Sequence, residues 1–428
     1  MIGILFGSLF VLLFLTVPIA VALALCTLAV FSILFVGTPM SSMLAQSMVT
    51  SMDSFSLMAI PLFMLMGALM SRSGIADKLV DVAKVLTSDT PGGLGAAAIV
   101  ACMFFAAISG SGPATVAAIG AIMIPAMVGQ GYSKAYGAGI VASSSIIGPV
   151  IPPSIPMIIY GVTIGVSVTK LFTGGFVPGI LMGGVLMVYN FFISKKRGYM
   201  GERVTLNVRE KLRVFGSGVW ALLMPGIVLG GIYGGIFTPT ESAAVGVVYS
   251  IIVGKFVYKT LNIKMFRASL MEAAVTSATV MIMFGGANTF GRLLTIGKIP
   301  AVITDVMLSV TQSPILIMVA INVLLLIIGM FIDTISSVIL FAPLFTPLVV
   351  SLGYDPTFFG VIMVINLCIG MLTPPLGPNM YIAQRIADCK LGAVLKNTIP
   401  GIVLLYLTLL LMIIFPNIIM FLPKLMGL

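Results

Sequence analysis

Residues 104–117 read Phe-Phe-Ala-Ala-Ile-Ser-Gly-Ser-Gly-Pro-Ala-Thr-Val-Ala. They interrupt an apolar run over about 93–128 that is too long for one membrane crossing, which takes roughly 20 residues. Ser109-Gly110-Ser111-Gly112-Pro113 is a turn: glycine lets the backbone bend tightly, and Pro113 is placed to open a second helix. The run is therefore expected to be a re-entrant hairpin that enters and leaves on one side. A second long run, about 314–351, breaks around Asp333-Thr334 and predicts a second hairpin.

Composition names the solvent around these hairpins. Of 428 residues, 60% are hydrophobic and 8% charged, with a mean hydropathy of +1.22; a soluble domain carries about 25% charged residues. Folding in water would leave too much apolar surface, so an all-α polytopic membrane protein is expected. Spans are expected at about 2–16, 18–36, 57–71, 136–165, 172–194, 217–236, 239–258, 271–290, 357–385 and 398–422. No basic leader precedes the first run, so the first span is expected to act as the insertion signal.

With both hairpins non-crossing and the N-terminus outside, all but four of the 22 Lys and Arg fall on the inner side. The exceptions are Lys170, Arg292, Lys298 and Lys424. This satisfies the positive-inside rule and puts both termini outside. The stretch from Lys195 to Arg213 becomes a cytoplasmic basic loop facing anionic lipid, so the net charge of +10 needs no nucleic acid. Four scattered cysteines without CxxC spacing and the absence of histidine weaken disulfide, zinc and haem readings. Gly254-Lys255-Phe256 leaves no complete ATPase motif, so energy must come from an ion gradient or another subunit.

The chain repeats itself. Gly131-Tyr132 and the following Ile151-Pro152-Pro153-Ser154-Ile155-Pro156 recur 222 residues later as Gly353-Tyr354 and Thr373-Pro374-Pro375-Leu376-Gly377-Pro378. Pro125 maps to Pro347, and Ser109–Thr115 onto Phe331–Ser337, at the same offset. Thr16-Val17-Pro18 resembles Thr238-Pro239 at one residue less. Residues 1–200 and 214–428 are thus two copies joined by the loop at 201–213. Each holds a hairpin (93–128, 314–351) and a Pro-broken helix (136–165, 357–385). Each copy crosses an odd number of times, so the two are inverted. Inverted repeats of broken helices mark secondary transporters whose site lies near the midplane.

Irregular backbone at membrane depth is tolerated where it is buried or lines a watery cavity. Half-helix N-termini suit a carboxylate, while half-helix C-termini and unwound carbonyls suit Na⁺. Ser143, Ser144 and Ser145 stand upstream of the first Pro-Pro break; Asn366 and Asn379 flank the second. Asp333 at the second hairpin tip is a functional candidate because a charge at membrane depth is costly; its alternative is a carboxylate exposed to water. Arg292 follows Gly285-Gly286-Ala287-Asn288, a presumptive span end. It can pair with a substrate carboxylate or snorkel to headgroups. Glu241, after Thr238-Pro239-Thr240, is expected to cap a helix start.

These stretches resemble a known family. Ala106–Thr115, Gly148-Pro149-Val150-Ile151-Pro152-Pro153-Ser154, Thr238-Pro239-Thr240-Glu241-Ser242-Ala243-Ala244 and Thr373-Pro374-Pro375-Leu376-Gly377 are similar to the large membrane subunit of the tripartite ATP-independent periplasmic (TRAP) transporters, DctM-like, and the likeness covers essentially the whole chain. The resemblance implies an elevator, in which a transport domain holding both hairpins slides against a scaffold. It implies Na⁺ coupling in a bacterial inner membrane, a small four-helix membrane subunit as a separate chain, and a periplasmic substrate-binding protein. It implies a carboxylate cargo, with sialic acid favoured and a C4-dicarboxylate next. Carried over by residue, Ser109 and Ser111 in the first hairpin, Asp333 in the second and the two Pro-Pro breaks match the family's ion and substrate region. With the residues read above, the substrate candidates are Ser109, Ser111, Ser154, Arg292 and Asp333. The Na⁺ candidates are Ser109, Gly110, Gly112, Ser145, Pro152, Asp333, Thr334, Thr373, Pro374, Gly377 and Asn379.

Other classes fit less well. A channel favours symmetric subunits around one pore, which an inverted internal repeat does not supply. A Na⁺/anion symporter that needs no binding protein stays open. An intramembrane enzyme lacks histidine and any paired-Asp motif, and Asp333 has no clear acidic partner within the membrane.

Overall fold

The computed structural model describes residues 2–34, 40–87, 90–199 and 207–428. Among them every regular element is a helix. The first half contains α1 (Ile2–Phe14), α2 (Ile19–Leu34), α3 (Met40–Met52), α4 (Ala59–Arg72), α5 (Ile75–Thr87), α6 (Gly93–Ser109), α7 (Gly112–Gly129), α8 (Lys134–Ser145), α9 (Ile155–Ile164) and α10 (Val168–Arg197). The second contains α11 (Val208–Tyr233), α12 (Pro239–Ile252), α13 (Ile263–Ile296), α14 (Ile299–Val310), α15 (Pro314–Phe331), α16 (Thr334–Ser351), α17 (Pro356–Gly370), α18 (Pro378–Ala387), α19 (Leu391–Ile414) and α20 (Asn417–Leu425). Nine helical stretches of the described residues are long and apolar enough to cross a membrane.

Local chemistry sets the breaks. α6 ends where Gly110 turns into the left-handed region at φ 60°, and Pro113 opens α7. α12 begins in a reciprocal cap: the Thr238 hydroxyl accepts from the Glu241 amide at 3.3 Å, and the Glu241 carboxylate accepts from the Thr238 amide at 2.8 Å. Glu241 is the capping residue that the sequence suggests. α8 and α9 are one expected span interrupted over 146–154, and α17 and α18 another interrupted over 371–377. α7 and α16 have matching bounds at the offset of 222 residues, as do the starts of α8 and α17.

α8 and α17 lie at the centre, with nearly every residue buried. α6, α7, α18 and α19 pack on α8, and α15, α16, α10 and α19 on α17. The buried irregular backbone between α8 and α9 satisfies itself through short turns: the Gly148 amide donates to the Ser145 carbonyl at 2.9 Å, and the Val150 amide to that of Ile147 at 3.0 Å. Outside this centre, α13 packs along α2, α3 and α4.

Two sequence expectations change. α13 runs unbroken from 263 to 296, so Gly285-Gly286 does not end the helix. Those glycines let neighbours approach instead: a Cβ on Gly286 would stand 2.8 Å from the Ala20 carbonyl, and one on Gly285 3.1 Å from that of Met48. The basic connection at 201–213 includes helix. Residues 201–206 lie outside the described residues, while 208–213 are the helical opening of α11.

One ion pair ties the starts of α10 and α17: Lys170 Nζ lies 3.1 Å from Asp355 Oδ2. Asp355 also caps α17, accepting from the Thr357 amide at 2.7 Å. Partial burial pushes its carboxyl up, but the Thr357 amide and hydroxyl and Lys170 outweigh it, and the group titrates below the ordinary carboxylate range. A depressed native pKa contributes stability above the unfolded value, about 4, that is lost as pH falls through the native one. Asp355→Asn should therefore melt below wild type at neutral pH. The gap should close in acid; a gap independent of pH between 7 and 3 would deny the pair its role.

Candidate functional site

The first hairpin tip closes on the interruption between α8 and α9. Ser109 Oγ lies 3.2 Å from Thr115 Oγ1, which donates to the Ser111 carbonyl at 2.7 Å. A Cβ built on Gly110 would collide with the Pro153 carbonyl, so the tip and the break touch through backbone. Pro152 is buried there, and the Pro152–Pro153 peptide is cis. Ser154 serves locally: its hydroxyl donates to the Pro149 carbonyl and accepts from the Met157 amide at 3.3 Å, capping α9.

Gly148 marks the point where oxygens gather. A Cβ there would lie 2.9 Å from each of the Ser111 carbonyl, the Ser145 carbonyl and Thr115 Oγ1. α18 adds a side chain from the other half of the chain. Asn379 Nδ2 donates to Ser145 Oγ at 2.9 Å and would stand 2.7 Å from a Cβ on Gly112. Asn379 Oδ1 is buried and has no hydrogen-bond partner. The C-terminal end of α8, where helix carbonyls carry partial negative charge, meets the turn between α6 and α7 at this point. Convergent neutral oxygens at a helix C-terminus, with an orphaned amide oxygen beside the neighbouring Gly112, are of the type that suits a hard monovalent cation.

The second tip faces the other break. The Leu376 amide donates to the Met330 carbonyl at 3.2 Å, and Thr334 Oγ1 lies 3.0 Å from Met371 Sδ. Asp333 is exposed at the tip and caps α16, accepting from the Ser336 amide at 3.0 Å and from the Ser336 hydroxyl in a short bond. Thr373 Oγ1 bonds weakly to the Ile369 carbonyl at 3.4 Å. Pro374 precedes a second cis peptide, and Gly377 turns left-handed at φ 32° to start α18. Asn366 Nδ2 donates to Asn322 Oδ1 at 2.7 Å, joining α17 to the hairpin arm α15. Asn366 Oδ1 and Ser337 Oγ are buried without partners.

The structure thus gathers Ser109, Gly110, Ser111, Gly112, Ser145, Pro152, Ser154 and Asn379 at one tip, and Asp333, Thr334, Thr373, Pro374 and Gly377 at the other. Thr115, Gly148 and Ser337 join them without having been singled out from sequence, and Asn322, deeper in α15, pairs with Asn366. Asn322 carried a signal: it is the lone polar side chain between Pro314 and Phe331.

Arg292 belongs to neither cluster. It lines a cavity of about 470 Å³ between α2, α3 and α13 on one side and α9 and α16 on the other. Asn288, Ser47 and Thr163 share its wall, with Ser47 Oγ 3.4 Å from Asn288 Oδ1. Thr163 Oγ1 is buried without a hydrogen-bond partner.

Comparisons with known proteins agree on one family. A family model described as "Tripartite ATP-independent periplasmic transporter, DctM component" matches residues 6–418. The isethionate TRAP transporter permease protein DctMQ of Oleidesulfovibrio alaskensis is 45% identical over 418 residues, covering 98% of this chain and 66% of that protein. The sialic acid TRAP transporter permease protein SiaT of Haemophilus influenzae is 39% identical over 417 residues, covering 97% of this chain and 67% of that protein. The chain therefore spans about two thirds of the length of these two relatives. Among solved structures, the Alcanivorax borkumensis YdaH transporter superposes with a TM-score of 0.61 at 14% identity, over 94% of this chain and 97% of that one, a likeness of fold.

Proposed function

The chain belongs to the DctM component family of tripartite ATP-independent periplasmic transporters, and from that premise we propose that it is the large membrane subunit of a Na⁺-coupled importer of a small organic anion. It is a transporter subunit and not an enzyme. The observation that carries the ion reading is the convergence at Gly148 of two backbone carbonyls and a threonine hydroxyl, with the unpartnered Asn379 amide oxygen close by at Gly112.

In this reading the two halves are inverted repeats. The matching bounds of α7 and α16 support it. The hairpins and broken helices form the moving transport domain, and α13 with α1–α4 belongs to the scaffold. Na⁺ bound at a tip would draw the hairpin and the adjoining break together, so that Ser109, Ser111, Ser145 and Asn379 hold one arrangement. Asp333 would complete the second ion site at the other tip, with Thr334, Thr373 and Gly377 around it. A periplasmic binding protein would deliver cargo from outside, and a small membrane subunit would flank the scaffold. Both termini would face the periplasm in a bacterial inner membrane. Sialic acid is the cargo the sequence resemblance favours, with C4-dicarboxylates next; the isethionate relative widens the field to sulfonates.

The test is uptake into proteoliposomes holding the chain and its small partner, with external binding protein and an imposed inward Na⁺ gradient. Accumulation of radiolabelled anion that vanishes without the gradient or the binding protein is expected. Accumulation that persists without Na⁺ would remove the coupling, and accumulation that persists without the binding protein would leave a simpler symporter.

A further inference from the structure

We propose that the cavity around Arg292 is the cargo-recognition site and that it selects a singly charged anion, a carboxylate or a sulfonate, over a dianion. This rests on the transporter reading above and deepens it.

Arg292 is, among the described residues, the one charged residue that lines the cavity. Among the described residues its guanidinium forms no ion pair, and residues 17–52, which supply the α2 and α3 walls, include no Asp, Glu, Lys or Arg at all. A planar guanidinium with free donors in a half-apolar cleft is a bidentate receptor for one carboxylate or sulfonate head. The remaining polar groups are neutral: Ser47 and Asn288, held near each other, and the Thr163 hydroxyl. Those suit a hydroxyl or amide on the cargo body. The other walls, such as Phe31 and Ile339, are apolar. A second anionic group would lie against them or against uncharged hydroxyls, with no cation to offset its lost hydration. A monoanion leaves the filled cavity neutral; a dianion leaves it with a net negative charge.

Placement agrees with such a role. The cavity lies between α13, α2 and α3 on one side and the transport elements α9 and α16 on the other. Cargo held there touches both the part proposed to move and the part proposed to stay.

The binding protein imposes its own selectivity, so the test measures the purified full chain in lipid nanodiscs with saturating Na⁺ and no binding protein. Calorimetric titration with isethionate, N-acetylneuraminate and succinate is expected to show binding of at least one of the two monoanions and weaker binding of fully ionised succinate. Lowering the pH toward singly charged succinate should raise its affinity, a change that a packing role for Arg292 does not produce. Arg292→Gln should weaken monoanion binding roughly 10- to 100-fold, and Arg292→Lys should recover part of it. Fully ionised succinate binding as tightly as the monoanions overturns the proposal, as does wild-type affinity in Arg292→Gln. If the same preparation transports in proteoliposomes but binds none of the probes, the charge rule falls while the transporter reading stands; if Na⁺-driven uptake is absent altogether, that reading falls first.

Discussion

Gly148→Ala is expected to lower Na⁺-driven uptake by about a hundredfold or more, while Gly184→Ala leaves it unchanged. A Cβ at Gly184 meets nothing within 4 Å. At Gly148 it meets three oxygens at 2.9 Å, two of them backbone carbonyls of the hairpin tip and the α8 end. A methyl group needs several tenths of an ångström more than that, so the tip, the α8 terminus or the break must move. Overpacking of this kind costs about 1–3 kcal/mol in a well-packed interior, which a protein of this size can absorb and still fold. The geometry of the oxygens cannot absorb it, since misplacing a bound group by about 1 Å can cost a hundredfold in rate. The variant should therefore express and melt near wild type, and its half-saturating Na⁺ concentration should rise steeply. Wild-type Na⁺ dependence in Gly148→Ala would move the ion site away from the first tip.

How much of this was legible in the sequence depends on the range of the interaction. The hairpins and the broken helices announce themselves locally. Ser109-Gly110-Ser111-Gly112-Pro113 and the paired Pro-Pro runs break helices wherever they occur, because glycine frees the backbone and proline removes a donor. The offset of 222 residues follows from those same marks. The short helices α3, α5 and α14 went unforeseen: they are 12 or 13 residues long, below a spanning length. α5 mixes Asp77, Lys78, Asp81 and Lys84 with its apolar face, so neither hydropathy nor length flags it. Arg292 was found as a residue, but Gly285-Gly286 resembles a helix stop until the close approach of Ala20 and Met48 explains it. The bond between Asn379 and Ser145 joins positions 234 apart. No spacing rule gives such a pair, because it is set by how the second broken helix stacks on the first. Gly148 was legible as a break residue only; its function as the point of oxygen convergence needs the fold of both hairpin and break.

Asp333→Asn and Asp333→Ala together separate a charge from a cap. The Asp333 carboxylate accepts from the Ser336 amide and hydroxyl and so begins α16. Asparagine keeps an acceptor oxygen at that place and ranks with aspartate as a helix cap, while alanine forfeits it at a cost of about 1 kcal/mol. If the carboxylate only caps, Asp333→Asn should transport like wild type and Asp333→Ala should lose stability and some activity. We expect a different pattern: both variants lose Na⁺-driven uptake by about a hundredfold or more, and only Asp333→Ala melts lower. The reason is that the cap alone does not require a full charge, since a neutral asparagine oxygen caps as well as a carboxylate. Thr334, Thr373 and Gly377 offer neutral oxygens, whereas Asp333 offers the one formal charge near that break that a cation could neutralise. High external Na⁺ should partly restore Asp333→Asn, because a weakened ion site is refilled by mass action. Uptake near wild type in Asp333→Asn, with an unchanged half-saturating Na⁺ concentration, would reduce Asp333 to a cap and leave the first tip, with its uncharged oxygens and Asn379, to carry the coupling alone.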